Sequence, residues 1–313
     1  MGGTILVGVD GTSACRAAIS WAVLRAASLH SRIVLVHVID DEWGMVGQQS
    51  LAELHPVAYA LLEKDSIVAR SIDPTVSVET RVLFGDPMVE LGVASREVDL
   101  VVVGTNKTGF LHGQAFGSRG LQLAATAWCP VAVIPEGSTT ERHGIVAGID
   151  DSEAGRAAVR FAATEAHRGQ SELILLRAWS SHADGDGEDA AAADARARRA
   201  AETLGSQSVH LARSAGDDLL VRTRTLRRPA AEALVDAGMS AELLVIGSSR
   251  RHGAAQSALG PVSHDVLLNI AGPTLVVHGA SVADATVADA TDADATVADA
   301  TLAALKHPIR RSE

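Results

Sequence analysis

Aromatic side chains are almost missing from this sequence: four Phe, four Trp and one Tyr make up 3% of 313 residues. With so little ring area the apolar mass is Ala, Val and Leu, which suits helices packed closely on Val-rich strands and points towards an α/β fold. Cysteine is nearly as scarce. Cys15 and Cys129 alone cannot build a disulfide framework or a metal centre, so a reducing compartment is expected. Positive charge is also short. A net charge of -11 argues against the clustered Lys and Arg of a nucleic-acid footprint, and it disfavours a membrane-surface role equally. The opening residues run Met-Gly-Gly-Thr straight into Ile5-Leu-Val-Gly-Val9 with no basic segment, long apolar stretch or small-residue cleavage site. No export or anchoring signal is expected there, and the cytoplasm is the expected compartment. Catalytic signatures are missing as well: there is no Gly-x-Ser-x-Gly elbow, no His-Glu-x-x-His and no Walker sequence ending in Gly-Lys-Ser/Thr. His37 and His112 read as a strand-end and a loop residue and Cys15 as a small packing residue, so no catalytic or metal-ligating residue is assigned.

What is present is a long internal repeat. Ile5-Leu-Val-Gly-Val-Asp-Gly-Thr12 returns as Ile145-Val-Ala-Gly-Ile-Asp-Asp-Ser152, and Arg32-Ile-Val-Leu-Val-His37 as Glu172-Leu-Ile-Leu-Leu-Arg177. Further on, Leu100-Val-Val-Val-Gly104 matches Leu243-Leu-Val-Ile-Gly247, and Cys129-Pro-Val-Ala-Val-Ile134 matches Gly272-Pro-Thr-Leu-Val-Val277. A period this long means a duplicated domain rather than a solenoid. The expected domains are residues 1–138 and 139–279, joined by a short polar linker, and a hydrophobic share of 47% supplies a core for both. Residues 280–313 carry the five-residue repeat Val-Ala-Asp-Ala-Thr. That period fits neither helix nor strand, so a disordered acidic tail is expected.

Within each copy the apolar runs are short, β-branched and uninterrupted, as for strands buried on both faces of a parallel sheet. In the first copy strands are expected at residues 4–10, 32–39, 76–84, 99–104 and 131–134. Helices are expected to start near Ser13, Pro56, Pro87 and Ser118, with Thr12 or Ser13 capping the first and Asp86-Pro87 opening the third. In the second copy residues 190–211 read as a solvated helix. Alternating strands and helices give two tandem doubly wound, Rossmann-like domains of strand order 3-2-1-4-5. The fifth strand of each would be an open edge, so those edges are expected to pair within the chain or across chains in a homo-oligomer.

In that order the first and fourth strands are neighbours from which the chain departs in opposite directions, and their carboxyl ends frame a ligand crevice. Asp10 and Gly11 follow the first strand. Asp10-Gly11-Thr12 can be a turn and helix cap, or Asp10 can accept from a ribose or a base. After the fourth strand comes Gly104-Thr105-Asn-Lys107-Thr-Gly109, running on to Gly117-Ser118-Arg119 at a helix start. Glycines there let backbone amides approach phosphate oxygens, and the free N–H groups of Ser118 and Arg119 with the helix dipole favour an anion.

This segment resembles the universal stress protein signature Gly-x2-Gly-x9-Gly-Ser/Thr: Gly104, Gly117 and Ser118 match, and Lys107 stands where the second glycine is usual. The Val7-Gly-Val9-Asp10 opening, His37-Val38, Gly85-Asp-Pro87 and Cys129-Pro-Val131 also look like that family. The resemblance implies that Val9 to Thr12 and the backbone of Val38 meet the nucleoside of ATP, alone or with Mg2+. The Gly104 to Arg119 segment would hold the phosphates, with the Lys107 ammonium able to serve as a point charge. The second copy keeps Asp150, Ser152, Gly247 and Gly260 but has Arg250 for the second glycine and Pro261 for the Ser/Thr. Pro261 offers neither N–H nor hydroxyl, so weaker nucleotide binding is expected there. The implied function is ATP-binding regulation with little or no catalysis. A slow ATPase or nucleotide-dependent transferase and a nucleotide-free interaction scaffold stay open, and no protein partner is named.

Overall fold

The computed structural model describes residues 2–40, 48–106, 119–137, 142–180, 188–249 and 259–279, with residues 48–52 and 188–190 in backbone only. Lys107, Gly109, Gly117, Ser118, Arg250, Arg251 and the acidic tail lie outside the described residues.

The first copy runs β1 (Thr4–Gly8), α1 (Ser13–Leu29), β2 (Arg32–Ile39), α2 (Gln48–Ile72), β3 (Val78–Phe84), α3 (Pro87–Ala94), β4 (Leu100–Thr105), α4 (Arg119–Thr126) and β5 (Val131–Pro135). The second repeats this order as β6 (Ile145–Gly148), α5 (Glu153–Gly169), β7 (Leu173–Trp179), α6 (Glu188–Arg213), β8 (Val221–Arg227), α7 (Ala230–Gly238), β9 (Leu243–Ser248), α8 (Pro261–Leu268) and β10 (Thr274–His278).

Local chemistry explains several boundaries. Thr12 caps α1 by accepting the Cys15 N–H at 3.2 Å, and Ser152 does the same for Gly155 at 2.9 Å on α5. Asp86 accepts from the N–H groups of Met88 and Val89, with Pro87 in the first turn of α3. The helix expected to start near Pro56 instead starts at Gln48, with Pro56 inside it. Proline's preference for the first turn suggested the later start, but two turns of chain precede it.

Within each copy the strand pairs are parallel, in the order β3-β2-β1-β4-β5 and, mirrored, β10-β9-β6-β7-β8. The two edges anticipated as open join each other within the chain: β5 and β10 run antiparallel with Val133 opposite Thr274 and Ala132 opposite Leu275. One ten-stranded sheet results. Pairing satisfies both strand edges, and Val131, Ala132, Leu275 and Val276 are fully buried at this seam beneath the helices on either face. The outer strands are then β3 and β8, whose exposed Glu79, Arg81, Arg222 and Arg224 put charge on the sheet margins.

Each sheet face carries one continuous apolar layer. Ile19, Val23, Leu62, Ala158 and Ala212 of α1, α2, α5 and α6 pack on one side with Val7, Leu35 and Leu175. Leu91, Leu123, Leu234 and Val266 of α3, α4, α7 and α8 cover the other with Val34, Val101 and Ile246. The copies are also tied by an ion pair between Arg25 of α1 and Glu165 of α5, with the Arg25 guanidinium 5.4 Å from the Trp21 ring and 5.5 Å from that of Phe161.

Candidate functional site

A cavity of about 400 Å³ opens at the carboxyl ends of β1 and β4, where the sheet order reverses. Its walls include Val38 from β2, Leu54 and Val57 from α2 and Met88 and Leu91 from α3, so most of its surface is apolar. Polar groups stand at its rim: Asp10 after β1, and Arg119 and Gly120 at the start of α4. The N–H groups of a helix's first turn have no intrahelical acceptor, which makes that end of the crevice suited to an anion.

Of the residues singled out in the sequence, Val9, Asp10, Val38, Gly104 and Arg119 line this cavity. Gly11, Thr12 and Thr105 do not belong to its described wall, and they serve the turns around it. Gly11 has φ +78°, a left-handed conformation that favours glycine. Thr12 donates its hydroxyl to Asp10 Oδ1 at 2.7 Å while its N–H donates to the same oxygen at 3.0 Å. Thr105 accepts the Glu136 N–H through its carbonyl. Asp10 therefore closes the turn through Oδ1, while Oδ2 has no partner among the described residues. The main chain of Val9 is already engaged, its N–H donated to Val36 and its carbonyl met by His37 Nδ1 at 2.7 Å.

Gly104 has a role that its place in a glycine-rich segment hides. A Cβ there would lie 2.3 Å from the Ala14 carbonyl and 2.7 Å from the Cys15 nitrogen. The end of β4 thus lies directly against the first turn of α1. Gly247 repeats this against Ala154 and Gly155.

The second copy holds a comparable cavity of about 340 Å³, lined by Asp150, Gly247 and Gly260 but not by Ser152, which caps α5 and donates to Asp150 Oδ1 at 2.6 Å. Gly260 stands at the N-cap of α8 with no side-chain cap hydrogen bond, and Pro261 follows it. The wall residues Met88, Leu91, Leu54 and Val57, and Arg177 in the second copy, were not singled out from the sequence. Their apolar spacing was visible, but a residue facing a crevice and one facing a core carry the same period.

Beside the first crevice Cys15 is buried, and burial pushes its thiol up to about 11, so it stays protonated and unreactive at neutral pH. Asp65 of α2 is 2% exposed, with Oδ2 lacking a hydrogen-bond partner. Burial raises its pKa above the ordinary value, opposed by Lys64 and Arg16 and assisted by Asp10. A carboxyl raised in the folded state favours folding in its protonated form, and that contribution is lost as pH rises from the unfolded value through the folded one. Asp65→Asn is therefore expected to be more stable than wild type by about 1 kcal/mol at pH 7, with the advantage vanishing below the ordinary carboxyl range. Denaturant melts at neutral and acid pH read this directly; an advantage of equal size at both would contradict it.

Among the described residues no group of three or more His, Cys, Asp or Glu could hold a metal, and no helix is long and apolar enough to cross a membrane.

Comparison with known proteins agrees with this architecture. The sequence profile of the universal stress protein family matches residues 1–135 and again 141–278. A universal stress protein of Mycobacterium tuberculosis is 30% identical over 293 residues, spanning 87% of this chain and 96% of its own. One from Mycolicibacterium smegmatis is 29% identical over 289 residues, with 87% and 96% covered. Among solved structures, a universal stress protein from Archaeoglobus fulgidus superposes with a TM-score of 0.66 at 16% identity, covering 89% of this chain and 97% of that one, which bears on the fold alone. With its repeated βα order, its paired fifth strands and a profile match in each half, the chain belongs to the universal stress protein family as a tandem two-domain member.

Proposed function

We propose that the first crevice binds an adenine nucleotide, ATP alone or with Mg2+, and that the protein is a cytoplasmic regulator in the stress response with little or no catalysis of its own. The observation that carries this reading is the composition of the 400 Å³ cavity: an apolar slot between α2, β2 and α3 that suits a base, with Asp10 at one rim and the α4 N-terminus at the other. Asp10 Oδ2 is available to a ribose hydroxyl. Arg119 brings charge to the end where phosphates would lie, and a magnesium ion would arrive on those phosphates. Occupancy of the second crevice by the same nucleotide is disfavoured, because Pro261 removes a donor at the corresponding helix start.

Calorimetric titration of the full chain with ATP is expected to show one equivalent bound. At a hundredfold excess over the dissociation constant the ligand should stabilise the fold by about 2.7 kcal/mol. Asp10→Asn keeps an acceptor for the Thr12 turn but turns the other oxygen into a donor, and it should weaken binding at least tenfold. No heat and no thermal shift with millimolar ATP would sink the reading. Two equivalents of equal affinity would refute the asymmetry between the copies.

A further inference from the structure

The two copies differ where the second long helix faces the ends of its strands. Buried positions recur in step along these helices, Ala58, Leu62, Asp65 and Ala69 on α2 against Ala201, Gly205, Ser208 and Ala212 on α6. Leu54 thus corresponds to Ala197 and Val57 to Ala200. Leu54 and Val57 wall the first crevice. Ala197 and Ala200 instead border an additional cavity of about 690 Å³, which adjoins the second crevice at Arg177, Ala178 and Ala230. Shorter side chains on α6 leave room that α2 fills.

Into this room the second copy brings a charge. Arg177 occupies the strand position of His37 and makes the same bond, donating from Nη1 to the Ile149 carbonyl at 3.1 Å where His37 meets that of Val9. A histidine can make that bond as a neutral ring, whereas arginine is permanently charged. Arg177 is half-buried, forms no ion pair among the described residues, and has a buried Nε with no hydrogen-bond partner. Among the described residues the other charges nearby have ionic partners of their own, Asp150 excepted. Arg228 is paired with Glu232 and Asp236 and the exposed Asp151 lies 3.6 Å from Arg156, whereas Asp150 accepts from Ser152 through Oδ1 alone. An unpaired guanidinium held partly out of water is costly to a fold unless an anion joins it.

We infer that the widened second crevice binds an organic anion with an apolar body, its carboxylate or phosphate on Arg177 and its body on the alanine face of α6. The site is distinct from the nucleotide crevice of the first copy and does not rest on the nucleotide reading. The anion sits at the β7 end of the crevice rather than at the start of α8, where Pro261 has no N–H to offer.

The test is calorimetric titration of the full chain with 1-naphthyl phosphate, alongside neutral 1-naphthol. One equivalent of the phosphate should bind, with the naphthol at least tenfold weaker. Arg177→Gln should weaken phosphate binding at least tenfold. Ala200→Val, which restores the first-copy residue, should weaken it as much by filling the cavity, while an unchanged or higher melting temperature shows that the fold is intact. ATP binding by both variants should match wild type. The inference is overturned by no binding at millimolar probe, by equal binding of probe and naphthol, by an Arg177→Gln variant that binds like wild type, or by loss of probe binding in Asp10→Asn.

Discussion

Alanine at Gly104 is expected to lower the stability of the chain by about 3 kcal/mol, although it adds a single methyl group. The new Cβ would fall 2.3 Å from the Ala14 carbonyl carbon and oxygen and 2.7 Å from the Cys15 nitrogen. These are backbone atoms of the capped first turn of α1, which cannot rotate away as a side chain could. Relief requires α1 to move off β4, opening the layer in which Ile19 and Val23 are wholly buried. For a folded unit of this size the loss corresponds to a fall in melting temperature of roughly 6–12 °C. Gly247→Ala should behave alike, since its Cβ would meet Ala154 O at 2.3 Å. An unchanged melt with weakened nucleotide binding would show that Gly104 serves the ligand rather than the approach of strand and helix.

Loss of the Arg142 side chain should cost a similar amount, about 3 kcal/mol, at a place that reads as an ordinary polar linker. Its Nη1 donates to the carbonyls of Gly238 at 3.0 Å and Ala241 at 3.4 Å, and its Nη2 to that of Ala271 at 3.2 Å. Gly238 ends α7, so the guanidinium satisfies carbonyls where the helix has no further donors and where its dipole is negative. Gly272 leaves the space for it, since a Cβ there would lie 2.2 Å from Arg142 Nη1. Alanine would strand these acceptors, whereas lysine, a single charged point, should recover only part of the loss. Urea melts of Arg142→Ala and Arg142→Lys decide this. Equal stability of wild type and both variants would mean that water replaces the guanidinium without penalty.

The sequence by itself determined the duplication, the strand order within each copy and the family. Buried parallel strands and capped helices announce themselves through short-range periods and single residues such as Thr12, Ser152 and Asp86, and a repeat is visible in one chain without any partner. It also brought Asp10, Gly104 and Arg119 forward, because their places at the ends of β1 and β4 and at the start of α4 follow from topology, and Val9 and Val38 through the family resemblance. Tertiary structure alone decided that β5 meets β10 inside the chain, since an open strand edge carries no label for the edge it will accept. It decided that Gly104 and Gly247 are points of helix–strand contact, that Arg142 closes the end of α7, and that Arg177 stands beside an alanine-lined cavity without an ionic partner among the described residues. Each of these is a matter of distance between residues far apart in sequence, which composition and period do not encode.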